Sequence, residues 1–179
     1  MKKLLIAAAL IALASPTLAQ DAVKPTRIAP DALAWKDAPQ LPKGAQYVIL
    51  IGDPTKAGEM FVQRVKFPAN YQVPAHTHPF TEYVTVMSGS LGYGMGDKLD
   101  VQKGEMLKSG TVFVNPTKHP HYVWTSNEET ILQVQGIGPG GIDYINPADD
   151  PRKAMATGTT GAQPTTGTST PPATGTTAK

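Results

Sequence analysis

From Gln46 onward the chain is cut into short segments by glycine, proline and asparagine. The segments are Gln46–Ile51, Met60–Phe67, Glu82–Met87, Leu91–Met95, Glu105–Lys108, Thr111–Val114, His121–Trp124 and Thr130–Gln135. Runs of this length bounded by turn formers read as strands. In the second run Phe61, Val65 and Phe67 fall on one face and Arg64 and Lys66 on the other, the period of two expected of a strand with one buried side. No amphipathic pattern of about ten or more residues competes with this reading. The expected fold class is therefore all-β, and about eight short strands closed on one another make a single jelly-roll β-barrel the most economical architecture. Tight turns are expected at Met87–Leu91, where Ser-Gly-Ser predicts a hairpin, at Gly94–Asp97 and at Lys103–Gly104.

The two ends read differently. Lys2 and Lys3 precede an apolar run from Leu4 to Ala14 and a small-residue stretch from Ser15 to Ala19. This is the layout of a secretory signal peptide, residues 1–19, with cleavage expected after Ala19. The apolar run is shorter than the roughly 20 residues a spanning helix needs, so no transmembrane helix is expected in the mature form. The predicted localisation is periplasmic or secreted. Residues 20–41, rich in proline, alanine and isolated charges, are expected to form an N-terminal arm on the barrel, with a helical turn at Pro30–Trp35. The barrel domain is expected over 42–155. Residues 156–179 are built almost wholly from Thr, Gly, Pro, Ala and Ser and cannot bury enough surface to offset the entropy of ordering them, so a disordered tail is expected.

The 179-residue chain carries 16 Lys and Arg against 14 Asp and Glu. Loss of Lys2 and Lys3 with the leader leaves 14 of each and a formal net charge of zero. A neutral mature protein has no electrostatic case for nucleic acid or for an anionic membrane. With no cysteine, a disulfide framework, a thiolate nucleophile and a thiolate-bound metal are all excluded.

The four histidines fall in two pairs, His76 with His78 and His119 with His121. Residues two apart on an extended strand project from one face, so His76 and His78 can present two imidazoles to a single point. Glu82 follows after the turn-prone Pro79 and can return a carboxylate there, while His121 must arrive on another strand. Three neutral imidazoles and one carboxylate suit one divalent transition metal: Fe, Mn, Ni, Cu or Zn.

These residues resemble the cupin superfamily. Its first motif, His-x-His, three or four residues, Glu, six residues, Gly, is matched from His76 through His78 and Glu82 to Gly89, with Asn70 in place of a leading glycine. Its second motif is matched by Gly110, Pro116 and His121, with Lys118 where the family has glycine and Thr125 where it often has asparagine. The resemblance covers about Gln46 to Gly136. It implies His76, His78, Glu82 and His121 as metal ligands, leaves His119 in a turn, and makes a homodimer a reasonable assembly. The chain also resembles the cupin half of zinc-binding anti-sigma factors.

Alternation places Val84 and Val86 inward with Glu82, and Val123 inward with His121, giving a largely apolar pocket. On the last strand Gln133 and Gln135 share one face and Leu132 and Val134 the other; alternation alone does not choose which points inward. Phe80, Tyr83, Tyr93, Tyr122 and Trp124 are expected to pack. Two functions fit: a mononuclear metal-dependent oxygenase or related dioxygenase-type oxidoreductase acting on a small molecule, and a non-catalytic metal-binding module that binds or senses a small-molecule ligand.

Overall fold

The alternating segments pair into two antiparallel sheets packed face to face, a jelly-roll barrel, in a computed structural model that describes residues 25–156. The expected signal peptide, residues 20–24 of the expected arm and all of the expected Thr/Gly/Pro tail except Ala156 lie outside the described residues. The strands are β1 Lys36–Asp37, β2 Gln46–Ile51, β3 Met60–Phe67, β4 Gln72–Thr77, β5 Glu82–Ser88, β6 Ser90–Met95, β7 Glu105–Lys108, β8 Val112–Asn115, β9 His121–Thr125, β10 Thr130–Ile137 and β11 Asp143–Tyr144. One sheet has the order β1-β2-β3-β10-β5-β8 and the other β11-β4-β9-β6-β7. The described residues add three 3-10 turns and one α-helix, α1, Pro151–Ala156. No helix among them is long and apolar enough to cross a membrane.

The core lies between the sheets and follows the period-2 pattern. Phe61, Val65 and Phe67 of β3, Val84 and Val86 of β5, and Leu132 and Val134 of β10 are buried from one side. Val73 of β4, Leu91 and Tyr93 of β6, and Val123 of β9 meet them from the other. Burial of each such side chain contributes roughly 1.5–3 kcal/mol relative to exposure. Leu132 and Val134 settle the face of β10: the two glutamines point outward, and Gln133 accepts a hydrogen bond from Arg64 Nε of β3 at 3.5 Å. Tyr83 departs from the expected packing role and lies half exposed. Tyr122 and Trp124 stack on each other.

The turn at Gly89 differs from the expected hairpin. β5 pairs with β10 and β8, whereas β6 pairs with β9 and β7, so the chain crosses there from one sheet to the other. A two-sheet closure needs such corners, and local turn chemistry does not distinguish a corner from a hairpin. Gly89 has φ +71, and a Cβ there would lie 2.4 Å from the Glu129 carbonyl oxygen. Gly94–Asp97 and Lys103–Gly104 prove to be the two ends of one connection, between β6 and β7.

Of the expected arm, residues 25–41 are described, and the helical turn spans Pro30–Ala32. β1 extends the larger sheet beside β2, and Lys66 of β3 sits 4.7 Å from the centre of the Trp35 ring. At the other end Arg152 of α1 folds back, its Nη2 donating to the Ile142 carbonyl at 2.9 Å. The segment around Arg152 is therefore tied to the barrel.

Candidate metal centre

The cluster forms where the two sheets meet. His76 on β4 pairs directly with His121 on β9, and His78 follows the end of β4. Glu82 opens β5 in the opposite sheet, where its neighbour on β8 is Asn115. One potential ligand atom from each of His76, His78 and His121 lies within 4.8 Å of the other two. Glu82 Oε2 lies 3.5 Å from His78 Nε2 and 3.8 Å from His121 Nε2. All four residues are buried. The His119 side chain is not part of this group, and its contribution is a backbone carbonyl.

Three hydrogen bonds set the chemistry of the imidazoles. His76 Nδ1 meets the Pro74 carbonyl at 2.7 Å, His78 Nδ1 the Gly141 carbonyl at 2.6 Å, and His121 Nδ1 the His119 carbonyl at 3.0 Å. A carbonyl oxygen only accepts, so each Nδ1 carries the hydrogen and donates it, and each Nε2 keeps its lone pair. Orienting a ligand imidazole through its other nitrogen in this way is the usual support of a metal site. Burial, reinforced by the neighbouring imidazoles, holds His76 well below the ordinary histidine pKa; burial also lowers His121. Both are neutral near pH 7, as ligands must be.

The turns that supply these carbonyls explain the departures from the family motifs. Asn70 and Lys118, which stand in place of glycines, have φ of +56 and +61, so the left-handed backbone is kept without the glycine. Lys118 N donates to the His78 carbonyl at 2.9 Å, docking the second motif on the first. Thr125 accepts from Tyr71 N at 2.9 Å and donates to the Pro68 carbonyl at 2.6 Å, which ties the end of β9 to the turn before β4. The glycine-rich exit of β10 also has a role: Gly141 orients His78, and Gly136 leaves room for Phe80, whose ring would lie 2.3 Å from a Cβ there.

Asn115 is the residue of this site that sequence reasoning missed. It is 1 % exposed. Its Nδ2 donates to Glu82 Oε2 at 2.8 Å and approaches His121 Nε2 at 3.1 Å, while its Oδ1 accepts from the Tyr93 hydroxyl at 2.7 Å. Burial and the nearby Glu82 charge push the Tyr93 pKa up, so the phenol stays protonated and able to donate. The available signal was Asn115 closing an otherwise apolar strand immediately before Pro116. Tyr93, expected only to pack, is the far end of this chain of hydrogen bonds.

The cluster opens on a cavity of about 340 Å³ whose walls are mostly apolar, including Phe61, Phe80, Val84, Phe113 and Val134. That volume lies within the usual range for small-molecule sites. Three nitrogen donors and one carboxylate, buried, neutral at the imidazoles and already oriented, fit a divalent transition ion of the nitrogen- and oxygen-binding kind.

Fold and site together define a β-barrel of the class that gathers histidines and a carboxylate at the inner end of an apolar cavity. A family model described as Cupin matches residues 53–140, and this match together with the fold supports the cupin superfamily for the chain. Its fold is similar to that of the polyketide cyclase RemF from Streptomyces resistomycificus, at 18 % identity and TM-score 0.59, over 74 % of this chain and 94 % of that one. It is also similar to KdgF from Halomonas sp., at 16 % identity and TM-score 0.50 over 64 % and 94 % of the two chains. An RmlC-like cupin from Shewanella frigidimarina NCIMB 400 gives 15 % identity and TM-score 0.50 over 64 % and 91 %. No curated protein matches the sequence.

Proposed function

We propose that the protein is a mononuclear metal-dependent oxidoreductase of the oxygenase type, exported to the periplasm or beyond, in which His76, His78, Glu82 and His121 hold one divalent transition ion. The observation that carries this reading is the convergence of three Nδ1-protonated imidazoles, each held by a backbone carbonyl, at one end of a cavity sized for a small molecule. When bound, the ion would supply Lewis acidity and, if redox-active, electron exchange with a substrate. The chain's own residues have the remaining tasks. The Nδ1 carbonyl bonds orient the ligands, Asn115 holds the Glu82 carboxylate, and the apolar walls exclude water from the bound molecule. Among the described residues Glu82 is the only carboxylate lining the cavity, and the only other formally charged group there, Arg152, is paired with Asp150, so beyond the cluster the walls offer no free charged acid or base.

That same shortage favours a second reading, a binding or sensing module of the anti-sigma-factor type, in which the metal is structural. Metal analysis of protein purified from its native compartment tests both. A redox-active ion with exchangeable coordinated water supports the enzyme; tightly held zinc with no exchangeable water supports the module. His76→Ala and His121→Ala should each abolish stoichiometric metal, whereas His119→Ala should retain it. Retention of the full metal content by His121→Ala would remove the site itself.

A further inference from the structure

The cavity walls carry more than apolar surface. One cross-strand row of the larger sheet runs Ile49, Gln63, Val134, Val84, Phe113, each residue opposite the next on β2, β3, β10, β5 and β8. All five line the cavity, and Gln63 is the only polar side chain in the row. It is partly buried between Phe61 and Val65 on the inward face of β3, and its carboxamide has no hydrogen-bond partner among the described residues. Outside the metal cluster and Asn115, two of the other polar side chains of the wall, Thr55 and Arg152, are accounted for. Thr55 donates to Asp53, and Arg152 is bonded to Asp150 and the Ile142 carbonyl. Gln40 and Tyr47 are also uncommitted, but Gln40 comes from the arm and Tyr47 sits opposite Val65, one row further from Glu82, whereas Gln63 is held in the central row on a strand paired on both sides. Groups on such strands place a ligand more accurately than groups on loops.

Position and size narrow what Gln63 can recognise. Gln63 lies two strands from β5, about 10 Å, and Glu82 lies two residues along β5 from Val84, about 7 Å, so the two backbones are roughly 12 Å apart across the cavity. A dry cavity of about 150 Å³ can hold benzene, and the present one is about 340 Å³, room for a two-ring body. No unpaired cation lines it, and Glu82 adds a negative charge. In the metal-free protein an anionic body would therefore enter without compensation, at high desolvation cost.

We propose that the cavity, free of metal, selects an uncharged molecule with an apolar body of about two rings, and that Gln63 determines specificity by hydrogen bonding a hydroxyl or carbonyl at the end remote from the histidine cluster. This deepens the small-molecule reading of the site and rests on it. The test is calorimetric binding of 2-naphthol, 2,6-dihydroxynaphthalene and 2-naphthoate to the full protein stripped of metal, so that a failure of metal binding, measured separately by zinc titration, does not decide the outcome. A net hydrogen bond of about 1 kcal/mol makes 2,6-dihydroxynaphthalene about fivefold tighter than 2-naphthol. In Gln63→Leu that increment should vanish while 2-naphthol affinity stays within about twofold, because the row is otherwise apolar. Gln63→Glu, which keeps an acceptor, should retain the increment and thereby control for a folding defect in the leucine variant. 2-Naphthoate should bind at least about tenfold more weakly than 2-naphthol. Persistence of the increment in Gln63→Leu, naphthoate affinity equal to that of naphthol, or no binding of either neutral ring would overturn the proposal.

Discussion

Replacing Asn115 by leucine, nearly its isostere, tests whether the hydrogen-bonded chain from Tyr93 to Glu82 and His121 organises the site. The substitution removes three contacts at a position 1 % exposed: Tyr93 at 2.7 Å, Glu82 at 2.8 Å and His121 at 3.1 Å. The Glu82 bond is assisted by charge and is worth about 1.5–3 kcal/mol, and the neutral Tyr93 bond about 1 kcal/mol. Both stranded partners are buried, and water is kept from them by the same packing that excludes it from the cavity. The better apolar fit of leucine offsets part of the loss, so Asn115→Leu should destabilise the metal-free protein by roughly 3 kcal/mol. Tyr93→Phe removes one contact and should cost about 1 kcal/mol. Because the two share a bond, the double variant should fall short of the sum by about 1 kcal/mol. Urea denaturation followed by circular dichroism measures all three. A loss below about 1 kcal/mol for Asn115→Leu, or strict additivity with Tyr93→Phe, would refute the reasoning.

Other outcomes follow from the same geometry. His76 and His121 are buried and held below the ordinary histidine pKa of 6.5, so below that pH the unfolded chain binds protons that the folded chain does not. Stability of the metal-free protein should therefore be full above about pH 6.5 and fall with acidification by about 1.4 kcal/mol per pH unit for each group until its folded pKa is reached. His121→Ala should flatten that slope in a pH series of denaturant melts. Gly89→Ala places a methyl group against the Glu129 carbonyl at a backbone angle of +71° and should cost about 2–4 kcal/mol in the same assay, although it does not line the cavity. Phe61→Ala opens a void in the wall and should cost about 3–5 kcal/mol in thermal or urea unfolding.

Much of the barrel is legible locally, since a strand declares itself by alternation and by the turn formers at its ends. The eight expected segments coincide with strands to within two residues at each end. β4 was not read as a strand, because Gln72–Thr77 carries a proline and two polar ends and has no clean alternation, although it bears His76. β1 and β11, two residues each, are too short to show a period and exist because a longer neighbour offers them hydrogen bonds. The first histidine pair was legible because spacing by two is itself a geometric statement on extended backbone. Asn115 was not, since nothing local to β8 says that Glu82 is its neighbour.

By itself the sequence determined eight of the strands, that no thiolate could serve as a ligand, and that two imidazoles share a face with a carboxylate close by. The tertiary structure decided which sheet each strand joins, which face of β10 meets the core, and which nitrogen of each histidine carries its hydrogen. The reason is that alternation has two equivalent phases and an imidazole two tautomers. Contacts between residues distant in the chain select the phase of β10 and, through Gly141, the tautomer of His78, whereas carbonyls two residues away set the tautomers of His76 and His121.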